Sequence, residues 1–214
     1  MIKCVSAIIL IAVVPTMIYT DTVFFQPGDD IGKDAYVREL MPPQDQYGDR
    51  PYIYVGVMNC EHYISYLQFV ELDDYLGNID LIRATLTLRG VLNNTYILCY
   101  IDCADDEWSE SSIRWFNRPE WNDDDEIYSE FMSPGSQDFV DVDVTDIVSS
   151  WNEGELDHYG FVIYSEDSSS YLVAAFAASE YYNYHPEHRP KLTIEFYYTD
   201  IEPTSLGEIK SLMK

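Results

Sequence analysis

Alternation of apolar and polar residues constrains the fold of this chain more than any other feature. In the run Phe-Val-Asp-Val-Asp-Val, Val140, Val142 and Val144 can face a core while Asp141 and Asp143 face water, because successive side chains of a β-strand point to opposite faces. Comparable strands are predicted in the run that starts at Asp34, before the Tyr47-Gly48 turn, and at 52–57, 65–70, 83–91, 95–101, 160–164, 172–177 and 191–198. Many short strands separated by turn residues are typical of an antiparallel β-sandwich of jelly-roll type.

One short helix interrupts this pattern. Thr145 is a suitable N-cap, Ile147, Val148 and Trp151 form an apolar stripe, and Gly154 is a natural stop. The sequence therefore predicts an all-β fold, an antiparallel β-sandwich of jelly-roll type with one short helix.

The first twenty residues have the pattern of a signal peptide. Lys3 precedes an almost unbroken apolar run over 4–19, whose length suits a signal-peptide core and is short for a membrane span. Cleavage is expected near Thr20–Asp21, and an uncleaved N-terminal anchor is the alternative. We therefore expect an extracellular or cell-surface protein with no membrane span in the mature chain.

The rest of the chain reads as a single domain with short flanks. Segment 21–33 is a lead-in, 34–198 is the predicted sandwich, and 199–214 is a tail that begins shortly before the break at Pro203. A length of this order fits one ordinary domain.

The charge balance is strongly acidic, with 38 Asp and Glu against 12 Lys and Arg, a formal net charge of −26. Such a surface repels phosphate groups, which argues against nucleic acids and anionic membranes as partners. Asp123, Asp124, Asp125 and Glu126 form a run of oxygen donors of the kind that suits Ca²⁺. A structural Ca²⁺ site is the metal hypothesis for this run, and a solvated acidic face is the alternative.

Three cysteines remain after the leader. Cys99 and Cys103 are predicted on one strand, about 13 Å apart at about 3.3 Å per residue, which is too far for a mutual disulfide. A disulfide from Cys60 to either of them stays open.

Six segments in order carry a family resemblance: DAYVRELMPPQDQYGDRPYIYVG, SYLQFVEL, IDLIRATLTLRGV, WSESSIRWFNRP, FVDVDVTDIVSSWNEGELDHYGFVIYS and AASEYY with HRPKLTIEF. Together they resemble the DNRLRE-type module, which is related to the disaggregatase-related repeat and to carbohydrate-binding module family 96. The resemblance implies a jelly-roll β-sandwich in extracellular or surface proteins. It also implies polysaccharide binding, in some members of acidic polysaccharides such as alginate.

Planar side chains in irregular loops are the candidate ligand contacts, because a ring offers the apolar face of a sugar a stacking surface. These candidates are Trp121, Tyr181, Tyr182, Tyr184 and His185. Arg118 and Arg189 can pair with a uronate carboxylate. The alternative is that the rings cover the open edges of the sandwich.

Three other tryptophans are assigned to the core. Trp108 and Trp115 frame the segment 108–119, and Trp151 lies on the helical stripe. Side chains of this size usually anchor a core. A sugar-stacking pair is the alternative for the first two.

Catalysis has little support in the sequence, which lacks a GxSxG, an HExxH and a Walker loop. Tyr182, His185 and Arg189 could supply a lyase with a base and a neutralising group. Their place in one loop is not evidence that the three side chains converge on a substrate. The prediction is a non-catalytic, polysaccharide-binding module. A self-associating surface or matrix protein is the alternative, and a small polysaccharide lyase or hydrolase is less favoured.

Overall fold

The computed structural model describes residues 19–26, 28, 32–39, 46–91, 96–121, 127–167, 171–181 and 185–198. Several predictions from the sequence lie outside these residues. They are the leader up to residue 18, the acidic run Asp123–Glu126, the tyrosines Tyr182 and Tyr184, and the tail 199–214.

The described residues form eleven strands, one α-helix and two 3₁₀ helices. In chain order these are β1 (Tyr19–Phe25), β2 (Lys33–Arg38), β3 (Tyr52–Met58), β4 (Glu61–Gln68), a 3₁₀ helix (Val70–Asp74), β5 (Asp80–Arg89), β6 (Leu98–Cys103), β7 (Ser129–Met132), β8 (Phe139–Asp143), α1 (Thr145–Asn152), β9 (Phe161–Tyr164), β10 (Leu172–Ala177), a 3₁₀ helix (Pro186–His188) and β11 (Lys191–Tyr198).

One sheet has four antiparallel strands in the order β1-β11-β5-β8. The first and last strands of the chain, β1 and β11, are neighbours in this sheet, with Tyr19 opposite Tyr198 and Phe25 opposite Leu192. β11 therefore lies between the N-terminal strand and β5. The arrangement is a sheet whose two middle strands come from distant parts of the chain.

The second sheet has seven antiparallel strands and is curled around β4. β2 pairs along one side of β4, while β3 and β9 share its other side at 61–63 and 65–67. β3 then continues to β10, and β9 continues to β6 and β7. Two strands on one side of β4 force the sheet to diverge, and the result is a half-barrel facing the flat sheet.

The main core fills the space between the two sheets. The inward faces predicted for β5 and β11 are confirmed, since these side chains are at most 2 % exposed: Ala84, Leu86, Leu88, Leu192, Ile194 and Phe196. From the curled sheet, Ile53, Phe161 and Phe176 meet them and are fully buried. The architecture is the predicted β-sandwich, consistent with a jelly roll.

The helix is present but begins differently from the prediction. Val144 occupies the N-cap and Thr145 is the first helical residue. The Thr145 hydroxyl and backbone N–H both donate to Oδ1 of Asp143, at 2.5 and 3.0 Å, so the aspartate carboxylate ties down the first turn. Gly154, with φ of +72°, follows the end of the helix as predicted.

A second, smaller core lies on the outer face of the curled sheet. The segment 104–121 crosses this face and buries Trp108 and Ile113 against Val37, Tyr66 and neighbouring side chains. The Tyr66 hydroxyl donates to the carbonyl of residue 119 at 2.6 Å. This cover leaves part of the outer face open, and the open part is the site described below.

Two strands were missed by the sequence patterns. β1 lies in the segment expected to be a lead-in and the end of the leader, and β7 follows the acidic run in a stretch with little alternation. Val70, predicted in a strand, belongs to a 3₁₀ helix. The expected cleavage point at Thr20–Asp21 falls inside β1.

Cys99 and Cys103 are free thiols. Cys60 is exposed at the tip of the β3–β4 hairpin, whereas Cys99 and Cys103 are buried on β6, as their shared strand predicted. The disulfide alternatives from Cys60 are therefore not realised.

In the described part of the chain, no helix has the length and apolarity that crossing a bilayer requires.

Candidate functional site

A groove of about 750 Å³ runs along the open outer face of the curled sheet. Its floor comes from outward-facing positions of β4, β6 and β9, and its walls come from the covering segment and from residues beside the strands. Strand alternation explains the floor: Ile101 points into the main core, so Tyr100 and Asp102 must point the other way.

Four aromatic rings form a continuous row in the groove. Trp121 stacks on Tyr164, with ring centroids 4.7 Å apart and an interplanar angle of 25°. Tyr164 stacks on Tyr100 at 5.4 Å and 24°, and Tyr100 contacts Tyr128 at 6.1 Å. The row crosses the sheet because Tyr100 and Tyr164 are direct cross-strand partners on β6 and β9. We call these four side chains the aromatic row.

Backbone pairing brings Trp121 to the row. It forms an isolated antiparallel bridge with Ala104, and the N–H of Asp105 donates to the carbonyl of Glu120 at 3.2 Å. The covering segment therefore ends as a short extra strand beside β6. Trp121 packs against the second core and also lines the groove.

Trp115 and Arg118 form a second planar pair in the groove wall. The Arg118 guanidinium lies over the Trp115 ring at 4.2 Å and also donates to the Trp115 carbonyl at 2.5 Å. Its other nitrogen lies 3.5 Å from the Glu120 carboxylate. Since Arg118 stacks on the ring and pairs with Glu120, part of its charge is already balanced.

The polar lining of the groove is mainly acidic. Glu39, Asp102 and Glu166 supply three carboxylates, and Nε2 of His62 lies 3.8 Å from the Glu39 carboxylate. Desolvation and the carboxylates of Glu166 and Glu130 raise the pKa of Tyr100. Its hydroxyl therefore stays protonated at neutral pH, where it can donate or accept a hydrogen bond.

The residues predicted to bind a ligand are not all brought together. Trp121 and Arg118 line the groove. His185 lies on the short turn before β11, with Nδ1 3.0 Å from Glu187, and Arg189 lies beside Gly28 near the same turn. Neither of these two lines the groove, so Arg118 and Arg189 are not brought together in it.

Tyr181 was predicted as an exposed loop ring, and this was wrong. Its side chain is buried beside Val91, Ala177 and Tyr52, and its hydroxyl accepts a hydrogen bond from Arg89 at 3.0 Å. The ring closes a small apolar cluster next to β10, so its faces are not available to a ligand.

The three tryptophans assigned to the core differ in placement. Trp108 and Trp151 are buried, 5 % and 3 % exposed, and Trp108 donates through Nε1 to the Tyr159 carbonyl at 2.8 Å. Trp115 is only partly buried, because it sits at the edge of the second core where the groove begins. Its assignment to the core alone needs correction.

Three members of the aromatic row were missed from the sequence. Tyr100 and Tyr164 lie in strands that the patterns had predicted, at outward positions, and Tyr128 precedes β7. The outward position of a strand tyrosine could have been detected from the alternation. The ring that stacks on it could not, because Tyr100 and Tyr164 are more than sixty positions apart and only the pairing of β6 with β9 brings them together.

Comparison with known proteins agrees with this architecture. The family model described as carbohydrate-binding module family 96 matches residues 30–195, more than three quarters of the chain. No catalytic family is found, and no curated protein matches the sequence. The match begins just before β2 and ends within β11, so it spans both sheets and the groove. The chain therefore belongs to carbohydrate-binding module family 96, a family of modules that are typically non-catalytic.

Proposed function

We propose that this carbohydrate-binding module holds a polysaccharide in the groove, along the aromatic row. The observation that carries the proposal is the unbroken contact of four rings across the open face of the curled sheet. Large exposed aromatic surface in a concave site is a usual feature of ligand-binding clefts.

The chemistry of the groove suits a sugar chain. The C–H faces of a pyranose ring pack on aromatic surface, while its hydroxyls need donors and acceptors at the rim. Tyrosine hydroxyls, the His62 ring, Ser165 and the carboxylates supply these groups. A carboxylate accepts hydrogen bonds from sugar hydroxyls without needing a charged partner on the ligand.

Charge favours a neutral glycan over a polyanion. Three carboxylates in the groove face one arginine, which already pairs with Glu120, and the whole chain carries −26. A polyuronate would be repelled both at long range and in the site. We therefore propose a neutral polysaccharide as the ligand class, although the family resemblance extends to acidic glycans.

Substitution of Tyr128 by alanine tests the aromatic row. Tyr128 is 43 % exposed, so Tyr128→Ala should weaken glycan binding about 5- to 30-fold, the effect of removing an aromatic contact of about 1–2 kcal/mol. Affinity electrophoresis against neutral and acidic polysaccharides measures the change. The melting temperature should stay close to that of the unmodified chain.

Tyr197→Ala is the matched control. Tyr197 is a similarly exposed tyrosine, 41 % accessible, on β11 of the opposite sheet. It should leave binding unchanged. Equal retardation of both variants and the unmodified chain would place the binding site elsewhere, and binding of polyuronates alone would reject the neutral-ligand proposal.

We also propose that the module acts outside the cytoplasm. The support is the apolar segment at 4–19 after Lys3, which has the pattern of a signal peptide. Expression of the full chain with a C-terminal epitope tests it, since export predicts protein in the medium or on the cell surface. A chain that stays in the cytosolic fraction contradicts it.

Self-association is the second candidate function, and β1 favours it. This edge strand presents Phe24, which is 65 % exposed, and unpaired strand edges can join to other chains. Sedimentation over a range of concentrations distinguishes the two functions, because a surface or matrix protein should form larger species that Phe24→Lys disperses.

A further inference from the structure

Two histidines and a glutamate lie together on the turn that leads into β11. Pro186 starts a 3₁₀ helix, Pro186–His188, and its fixed φ suits that first position. The turn places His185, Glu187 and His188 on one side. This cluster is separate from the groove, which none of the three residues lines.

The spacing of the three side chains suits a metal ion. Nδ1 of His185 lies 3.0 Å from Oε1 of Glu187, and Nε2 of His188 lies 3.8 Å from the same oxygen. One ligand atom from each residue lies within 4.8 Å of the others. Tetrahedral ligands at about 2.0–2.1 Å from Zn²⁺ are about 3.4 Å apart, so the distances between the three ligand atoms would change by about 1.4 Å at most.

Packing holds the histidine rings in place. The His188 ring contacts the rings of Tyr181 and Phe139 at 5.8 and 6.2 Å, and His185 stacks on His188 at 4.8 Å. Nδ1 of His188 is buried without a hydrogen-bond partner. Nε2 is therefore the ring nitrogen of His188 that can reach an ion.

The chemical kinds of ligand in the cluster also favour a transition metal. Two imidazoles and one carboxylate select Zn²⁺ and similar transition metals, whereas Ca²⁺ requires six to eight oxygens.

We propose that His185, Glu187 and His188 bind one divalent transition-metal ion, with Zn²⁺ as the expected ion and water as the remaining ligand. Binding replaces the hydrogen bond between His185 and Glu187, and the His185 ring takes the tautomer that carries its proton on Nε2, by exchange with solvent, so that Nδ1 offers its lone pair and the imidazole stays neutral. The ion would fasten the connection between β10 and β11 to the end of the four-stranded sheet, through the contact of His188 with Phe139 on β8.

Calorimetric titration with Zn²⁺ tests the proposal on the full chain carrying no histidine tag. A large excess of Mg²⁺ in the cell occupies acidic surface sites, which would otherwise bind Zn²⁺ weakly. One Zn²⁺ per chain should bind, and the melting temperature should rise with Zn²⁺. His185→Gln and Glu187→Gln should each weaken binding at least about tenfold, since a ligand is lost.

His62→Gln is the matched control, because His62 also lies beside a carboxylate, at 3.8 Å from Glu39, but is not part of the three-residue cluster. It should bind Zn²⁺ as the unmodified chain does. His185 and Glu187 have side chains 55 % and 62 % exposed, so their variants should fold, and circular dichroism verifies this. Absence of Zn²⁺ binding, or binding by the two cluster variants as tight as that of the unmodified chain, would overturn the proposal.

Discussion

At the scale of single residues, Asp34 is the most unusual group in the fold. Its carboxyl is buried, Oδ2 accepts from the N–H of Ser179 at 2.7 Å, and Oδ1 has no hydrogen-bond partner. Burial, and after it the charge of Glu180, raise the pKa of Asp34 well above its usual value. Burial also raises the pKa of Glu110, which accepts from the Asp34 backbone. These carboxyls destabilise the fold when they are ionised.

The free energy of unfolding should therefore rise as the pH is lowered from neutral towards the unfolded pKa of a carboxyl, about 3.9. Because the folded-state pKa of Asp34 lies above the unfolded value of about 3.9, the folded chain binds the proton first, and stability increases as pH falls towards that unfolded value. Asp34→Asn keeps an acceptor for Ser179 and removes the charge, so it should flatten this dependence and stabilise the protein at pH 7. Urea unfolding at several pH values measures the stability at pH 7 and its dependence on pH. If the free energy of unfolding changes with pH as steeply in the variant as in the unmodified chain, Asp34 is not the group responsible.

Sequence reasoning reached only part of the site at this scale. Trp121 was found because a large ring in a loop lacks an obvious core partner, and Arg118 because a guanidinium can pair with a uronate carboxylate. Tyr100 and Tyr164 escaped because a strand tyrosine is equally common at a solvated face, and only the pairing of β6 with β9 stacks them. Tyr181 was misassigned because its burial depends on contacts with β3 and Arg89, far away in the sequence.

At the scale of elements, local pattern was sufficient where alternation was strict. The strands at 172–177 and 191–198 have the predicted bounds. β1 was concealed because it directly follows the apolar leader, so no turn residue separates the two patterns. The curl of the seven-stranded sheet could not be predicted, since it comes from β3 and β9 sharing one side of β4.

Gly56 lies at the first position where β3 pairs with both β4 and β10. Its φ is +110°, and a Cβ there would lie 2.2 Å from the carbonyl oxygen of Leu172. Gly56→Ala should therefore destabilise the fold by about 2 kcal/mol or more, from backbone strain and the clash together. Thermal and urea unfolding measure the loss.

Gly77→Ala is the control for this prediction. Gly77 also has a positive φ, +76°, but a Cβ there would meet no atom within 4 Å. Its substitution should cost about 1 kcal/mol. Equal losses in the two variants would mean that the close approach of β10 at Gly56 contributes nothing.

At the scale of the whole molecule, net charge governs the response to ions. The −26 charge opposes compaction, and salt should stabilise the fold by screening. The Ca²⁺ site predicted at Asp123–Glu126 adds a specific expectation. Millimolar Ca²⁺ should raise the melting temperature more than Mg²⁺ or NaCl at equal ionic strength, and EDTA should reverse this rise. The double substitution Asp123→Asn with Asp125→Asn should abolish the difference between Ca²⁺ and the other salts. Equal effects of Ca²⁺ and Mg²⁺ would leave only a solvated acidic face.

The pairing of β1 with β11 has a mechanical consequence. Tyr19 lies opposite Tyr198, so the segments before and after the fold leave the sandwich side by side at one corner. Attachment through either end would therefore hold the module at a single corner. Tension applied between Tyr19 and Tyr198 would load the β1–β11 hydrogen bonds one pair at a time, starting from this end, so β1 should be the first strand to detach.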